Sequence, residues 1–124
     1  FRHQEIFGVA GSMSGGVDIR SFPDRWDIAL RLGPQNQYPE RWESHTIINM
    51  LDLLKPNSLA LVFDCGTEDF FYDVNVALHA KLLDRKIPHD FYSGGHEWQY
   101  WSNAIRYQFV FWDNYFKTNC INNR

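Results

Sequence analysis

Cysteine is scarce in this chain: two among 124 residues, Cys65 and Cys120. Two cannot make a disulfide framework, and their pairing does not follow from sequence. There is no C-x-x-C pair, which disfavours a dithiol redox role for Cys65. No Cys–His set has the spacing of metal ligands, so no metal site is expected. An excess of one charge is missing too. Twelve basic residues face fifteen acidic ones, the net charge is −3, and the basic residues are scattered, which leaves no footprint for nucleic acid. No apolar run approaches the ~20 residues that a helix needs to span a bilayer, so no membrane partner is expected. Internal repeats and low-complexity segments are absent. The opening Phe1-Arg2-His3-Gln4 is neither an initiator Met nor a signal peptide, which raises the expectation of a chain cut from something longer and leaves the compartment open.

What is present suits one globular domain. A hydrophobic fraction of 44% is ordinary, and a chain of this length buries roughly two-thirds of its unfolded surface. Its centre is Leu59-Ala60-Leu61-Val62-Phe63-Asp64-Cys65-Gly66-Thr67-Glu68-Asp69. Leu59 to Phe63 is apolar without alternation, which predicts a strand covered on both faces, as in a parallel sheet flanked by helices. Upstream, Ile6 to Ser12 reads as a first buried strand and Ser12-Met13-Ser14-Gly15-Gly16 as a turn. Residues 17–38 read as a loop with one short helix, Trp26 to Leu32. Pro39-Glu40-Arg41-Trp42 opens a helix whose apolar face is Trp42, Thr46, Ile47, Met50, Leu51 and Leu54, and Lys55-Pro56-Asn57-Ser58 stops it. Downstream come a helix over Asp73 to Lys86, a strand Pro88 to Tyr92, and a helix from Glu97 to Phe116. The last helix carries the stripe Trp98, Trp101, Ile105, Phe109, Trp112 and Phe116, read as core. Alternating strands and helices predict an α/β fold: a three-layer parallel sheet of about three strands with right-handed crossovers.

Ligands of such sheets bind beyond the carboxyl ends of the strands. Asp64, Glu68 and Asp69 sit at one such end and His96, in Ser93-Gly94-Gly95-His96-Glu97-Trp98, at the next. A carboxylate against an imidazole N–H fixes the tautomer and stabilises the imidazolium, the supporting half of a nucleophile–base–acid triad. The plainer alternative is that Asp69 caps the following helix and His96 lies on the surface. Asp64 and Glu68 compete for the role of the acid, Asp73 reads as an N-cap, and Asp90 and Glu97 as solvated. Ser12 and Ser14 lie in Ala10-Gly11-Ser12-Met13-Ser14-Gly15-Gly16, which matches the G-x-S-x-G elbow only loosely. No helix is expected after it, so both are weak nucleophiles. His45 reads as half-buried, His79 as exposed, and His3 and His89 as segment ends. Trp98 and Tyr100, close to His96, are candidates for lining a substrate pocket.

Three segments together resemble the esterase D-like branch of the α/β-hydrolases, which includes S-formylglutathione hydrolases and feruloyl and acetylxylan esterases. They are Phe7-Gly8-Val9-Ala10-Gly11-Ser12-Met13-Ser14-Gly15, Asp64-Cys65-Gly66-Thr67-Glu68-Asp69-Phe70-Phe71, and Gly94-Gly95-His96-Glu97-Trp98 with its aromatic helix. The resemblance covers nearly the whole chain but only the later half of that family's domain. It implies that residues 1–124 are a partial hydrolase domain lacking the half with the nucleophile elbow, with the serine upstream of residue 1. By the same resemblance Asp69 is the triad acid, His96 the base, and the substrate a small-molecule or carbohydrate-linked ester, hydrolysed without a cofactor. A half-sheet of this kind is expected to form a homo-oligomer through its exposed first strand or its aromatic helix. The rival class is a non-catalytic binding or interaction module on a degenerate hydrolase half-domain. A serine labelled by a covalent serine probe would separate the two.

Overall fold

The computed structural model describes residues 1–95 and 98–121, the side chains of Cys120 and Ile121 excepted. Three parallel strands form one sheet in the order β1-β2-β3: β1 (Val9–Met13), β2 (Ala60–Gly66) and β3 (His89–Gly94). The register pairs Gly11 with Val62, Phe63 with Phe91 and Gly66 with Gly94. Between β1 and β2 come two short helices, α1 (Ile28–Leu32) and α2 (Pro39–Ser44), and single 3-10 turns. Helix α3 (Tyr72–Asp84) links β2 to β3, and α4 (Trp98–Ile121) ends the described chain. The α/β parallel architecture is therefore as expected.

Alternation along β2 separates the layers. Leu61 and Phe63 face one side, where they join Val17, Ile48, Leu51, Leu78 and Leu82 in the main core. Asp64 faces the other side and bonds to α4 through Gln108. β2 is buried from Leu61 to Gly66, three residues past the apolar run, so that Asp64, Cys65 and Gly66 are covered as well.

Several expectations change. The first strand begins at Val9, and Ile6 and Phe7 lie outside it and exposed. Among the described residues β1 is an edge strand, as the expectation of an exposed first strand required. The long helix after Pro39 ends at Ser44. Thr46 Oγ1–H donates to the Trp42 carbonyl (2.7 Å), and the Ile48 N–H turns to Val17 C=O (3.1 Å) on the β1 side of the core. That tertiary bond replaces a helical one and shifts the phase, so that Ile48 is buried and Ile47 exposed. Asp73 lies one residue inside α3 and is not its cap; Phe71 takes the cap position. His45 is exposed, while His79 is half-buried, its Nδ1 lying 2.7 Å from His89 Nε2 and its ring beside Phe91.

The aromatic stripe of α4 is the largest correction. Trp98 is 80% exposed, Phe109 58% and Phe116 52%, while the buried residues are Ala104 and Gln108. Glycines decide which row meets the sheet. A Cβ at Gly8 would fall 2.0 Å from the Tyr115 hydroxyl, at Gly11 2.2 Å from Gln108 Oε1, and at Gly94 2.3 Å from the Tyr100 ring. Tyr100, Gln108 and Tyr115 thus occupy space that any side chain at those strand positions would fill. Helical periodicity identifies a stripe but not the surface that covers it.

Candidate active site

The carboxyl ends of β2 and β3 bring two loops together. Gly66 pairs with Gly94, and the Thr67 N–H donates to the Gly94 carbonyl, so the loop carrying Asp69 lies against the loop that leads to His96. His96 and Glu97 themselves lie outside the described residues, and so does the expected Asp69–His96 contact.

Asp69 is 5% exposed. Its N–H donates to Gly66 C=O (3.1 Å), its carbonyl accepts from the Tyr72 N–H (2.9 Å), and its Oδ1 accepts from the Phe71 N–H (2.8 Å). The last bond is an Asx turn that leads into α3. The Phe71 N–H thereby fixes the direction of the Asp69 carboxylate. The capping alternative is realised in part, since Asp69 does satisfy an N–H just ahead of α3. Glu68 is exposed.

Asp64 has a different environment. It accepts from Gln108 Nε2 (2.7 Å) and from the Tyr100 hydroxyl (3.3 Å), facing α4. Burial raises its pKa, with the two donors opposing that rise. Burial followed by the Asp64 carboxylate pushes the Tyr100 phenol up as well. Tyr100, a candidate pocket residue, is therefore tied into a buried polar cluster that joins α4 to β2. Trp98 stands at the first residue of α4, edge-on to Trp101 at 5.2 Å between centroids.

Among solved structures, a ferulic acid esterase superposes on this chain with a TM-score of 0.62 at 24% sequence identity, over 86% of this chain and 42% of its own. The likeness is one of fold. This chain spans less than half of that neighbour's length. No family model matches the sequence, and no curated protein matches it either.

Within this esterase-like fold, Ser12 lies inside β1, opposite Phe63. Ser14 follows the strand with a left-handed backbone (φ 48°) and donates its N–H to Asp64 C=O (2.8 Å). Its Oγ accepts from Trp101 Nε1 (3.3 Å) and is hydrogen-bonded to the Cys65 thiol. Gly15 and Gly16 come next, then a 3-10 turn at Ile19–Ser21; an elbow serine would precede a helix. Two supporting residues escaped the sequence reading. Gln108 reads as a polar gap in an aromatic run, yet its Nε2 also bonds to Ser12 C=O (3.0 Å). Asn75 on α3 is buried and donates to the carbonyls of Gly15 and Phe71, both at 2.9 Å. Among the described residues no group of three metal-ligating side chains occurs, and no helix is long and apolar enough to cross a membrane.

A cavity of about 780 Å³ opens elsewhere, among Leu59, Ala60, Ile87, Pro88 and Tyr115 at the amino ends of the strands. Parallel sheets place ligands at the carboxyl ends, so loop geometry outweighs cavity size here.

Cys65 supplies a test of this packing. It is a buried free thiol, its pKa pushed up to about 11 by burial and then by the neighbouring Asp69 carboxylate. Since the thiolate is the reactive form, iodoacetamide at neutral pH is expected to leave Cys65 unlabelled in the folded chain and to label it in denaturant. Peptide mass mapping reads the result. Rapid native labelling at Cys65 would contradict the packing described.

Proposed function

We infer that this chain is the portion of a serine esterase domain that carries the acid and the base of a Ser–His–Asp triad. Asp69 is the acid and His96 the base; the nucleophile lies outside residues 1–124. The observation that carries this reading is the pairing of Gly66 with Gly94, closed by the Thr67–Gly94 bond, which sets the Asp69 loop against the strand that leads into His96. The fold shared with a ferulic acid esterase supports it, as does the chain's coverage of only 42% of that protein. In this mechanism an incoming serine attacks an ester carbonyl while His96 takes its proton. His96 then protonates the leaving alcohol and activates the water that hydrolyses the acyl-enzyme. Asp69 holds the imidazole in the required tautomer throughout. The substrate class is a carboxylic ester, on a small molecule or a carbohydrate.

The pair can be tested without turnover. A carboxylate within hydrogen-bond range favours the imidazolium and raises the pKa of its histidine. Asp69→Asn is therefore expected to lower the His96 pKa by about one unit, followed by NMR of the ring protons. A His96 pKa that does not respond to Asp69→Asn, in a variant with unchanged circular dichroism, would refute the pairing. The isolated chain is expected to hydrolyse activated esters at the background rate. Turnover abolished by Ser12→Ala or Ser14→Ala would move the nucleophile inside the chain.

A further inference from the structure

Two histidines meet ring to ring at β3, the edge of the sheet remote from β1. His79 stands on α3 and His89 opens β3. Their rings lie edge-on at 4.9 Å between centroids, with His79 Nδ1 2.7 Å from His89 Nε2. Phe63 of β2 stacks on His89 at 5.6 Å, and Phe91 of β3 lies beside His79 at 4.9 Å. Both imidazoles are half-buried against these aromatic rings.

The neighbours fix where the hydrogens sit. His89 Nδ1 lies 2.7 Å from the Ile87 carbonyl, which can only accept, so Nδ1 carries a hydrogen. His89 Nε2 is then the acceptor, and the hydrogen between the rings belongs to His79 Nδ1. One further proton leaves a single hydrogen between the facing nitrogens, whichever ring it enters. A second puts a hydrogen on both and sets N–H against N–H between two cations. Like charges this close disfavour each other's ionised form.

Nothing nearby compensates for a second charge. Among the described residues no carboxylate bonds to either ring, and His89 is the one group that acts on His79 through its charge. The charged groups that share a cavity with His89 are Asp52 and Arg85, which pair with each other, and Lys55, Lys86 and Asp90. Asp90 accepts from the Tyr92 hydroxyl (3.3 Å) and, one position along the strand, faces the other side of the sheet. The two lysines add positive charge. Burial, followed by the charge of His89, lowers the His79 pKa.

We propose that His79 and His89 form a pH-sensitive latch between α3 and β3, closed while the pair holds at most one extra proton and released by the second. The unfolded chain takes up both protons near the ordinary imidazole value of about 6.5, whereas the folded pair resists the second. The unfolded state thus binds more protons in acid, so this stability is present above about pH 6.5 and is lost as the pH falls below it. The first turn of α3 holds the Asp69 loop, through the Tyr72 N–H to the Asp69 carbonyl (2.9 Å). Release of the latch therefore loosens the helix on which that loop hangs. The inference rests on the two rings, independently of the esterase reading.

Urea unfolding at about pH 7.5 and about pH 5 tests it, on the chain and on the double variant His79→Asn/His89→Gln. The two amides can keep a donor facing an acceptor, and neither titrates. Acid is expected to raise the unfolding constant of the original chain roughly ten- to thirtyfold more than that of the variant, since an imidazole of ordinary pKa favours its charged form by about that factor at pH 5. Taking the difference cancels the other groups that titrate in this range. Nitrogen NMR of the imidazoles supplies a second readout on the original chain, and decides should the variant fail to fold. Near pH 7.5 both rings are expected to carry their hydrogen on Nδ1, and on acidification the pair is expected to take up its two protons in separate steps. Equal acid sensitivity of the two proteins, an Nε2–H tautomer at His89, or uptake of both protons in one step would each overturn the proposal.

Discussion

Trp42→Ala is expected to lower the unfolding free energy by about 3–5 kcal/mol, the usual cost of deleting a buried aromatic side chain. The indole is 0% exposed, so its removal forfeits both apolar burial and its packing contacts. Its Nε1–H also donates to the Gly33 carbonyl (2.9 Å), a bond that holds the end of α1 against α2. Gly33 has a positive φ of 81° as the cap residue of α1, and its N–H closes that helix on the Ala29 carbonyl (2.9 Å). Total stability for a domain is about 5–15 kcal/mol, so this one truncation removes a large share of it. Trp42→Phe keeps most of the ring but leaves Gly33 C=O without its donor, and is expected to cost less. Urea denaturation read by circular dichroism provides the measurement, with a lower midpoint at unchanged slope. A loss below ~1 kcal/mol for Trp42→Ala would mean that the indole does not fill the space described.

Gly94→Ala is expected to cost about 1–3 kcal/mol by overpacking, and to loosen the candidate site as well. The added Cβ would fall 2.3 and 2.4 Å from two Tyr100 ring carbons, too close for any real contact. Gly94 lies in a strand and Tyr100 near the start of α4, so relief requires moving the ring and the helix end together. The ring carries the hydroxyl that bonds to Asp64, and Gly94 carries the carbonyl that holds Thr67. The same displacement therefore parts the Asp69 loop from the end of β3. Tyr100→Ala removes the obstacle, so the double variant is expected to cost less than the sum of the two single ones. That non-additivity, measured in a double-mutant cycle, identifies the Tyr100 ring as the cause. Full additivity would place the strain elsewhere.

Some of this structure was legible in the chain and some was not, and particular residues show why. β2 was readable because Leu59 to Phe63 is apolar on both faces, a pattern that no exposed strand supports. α3 was readable because Leu78 and Leu82 recur at helical spacing over a length that excludes a strand. The position of the Asp69 loop beside the end of β3 followed from that order, since strand, helix, strand in one parallel sheet brings consecutive carboxyl ends side by side. The helix after Pro39 was not readable beyond Ser44. Its continuation is helical in periodicity, but the Ile48 N–H finds Val17 C=O, thirty-one residues away, and no local pattern encodes that choice.

Sequence by itself thus determined what local period and order can carry: one parallel α/β sheet, a buried β2, and the Asp69 loop at a carboxyl end beside that of β3. Only the tertiary structure decided which faces are covered. It turned Gln108 rather than Phe109 toward the sheet, and buried Asp64 beneath Tyr100. The reason is that burial belongs to pairs of surfaces. The glycines at 8, 11 and 94 and the residues of α4 that fill them are distant in sequence, and each acquires its role only when the other is in place.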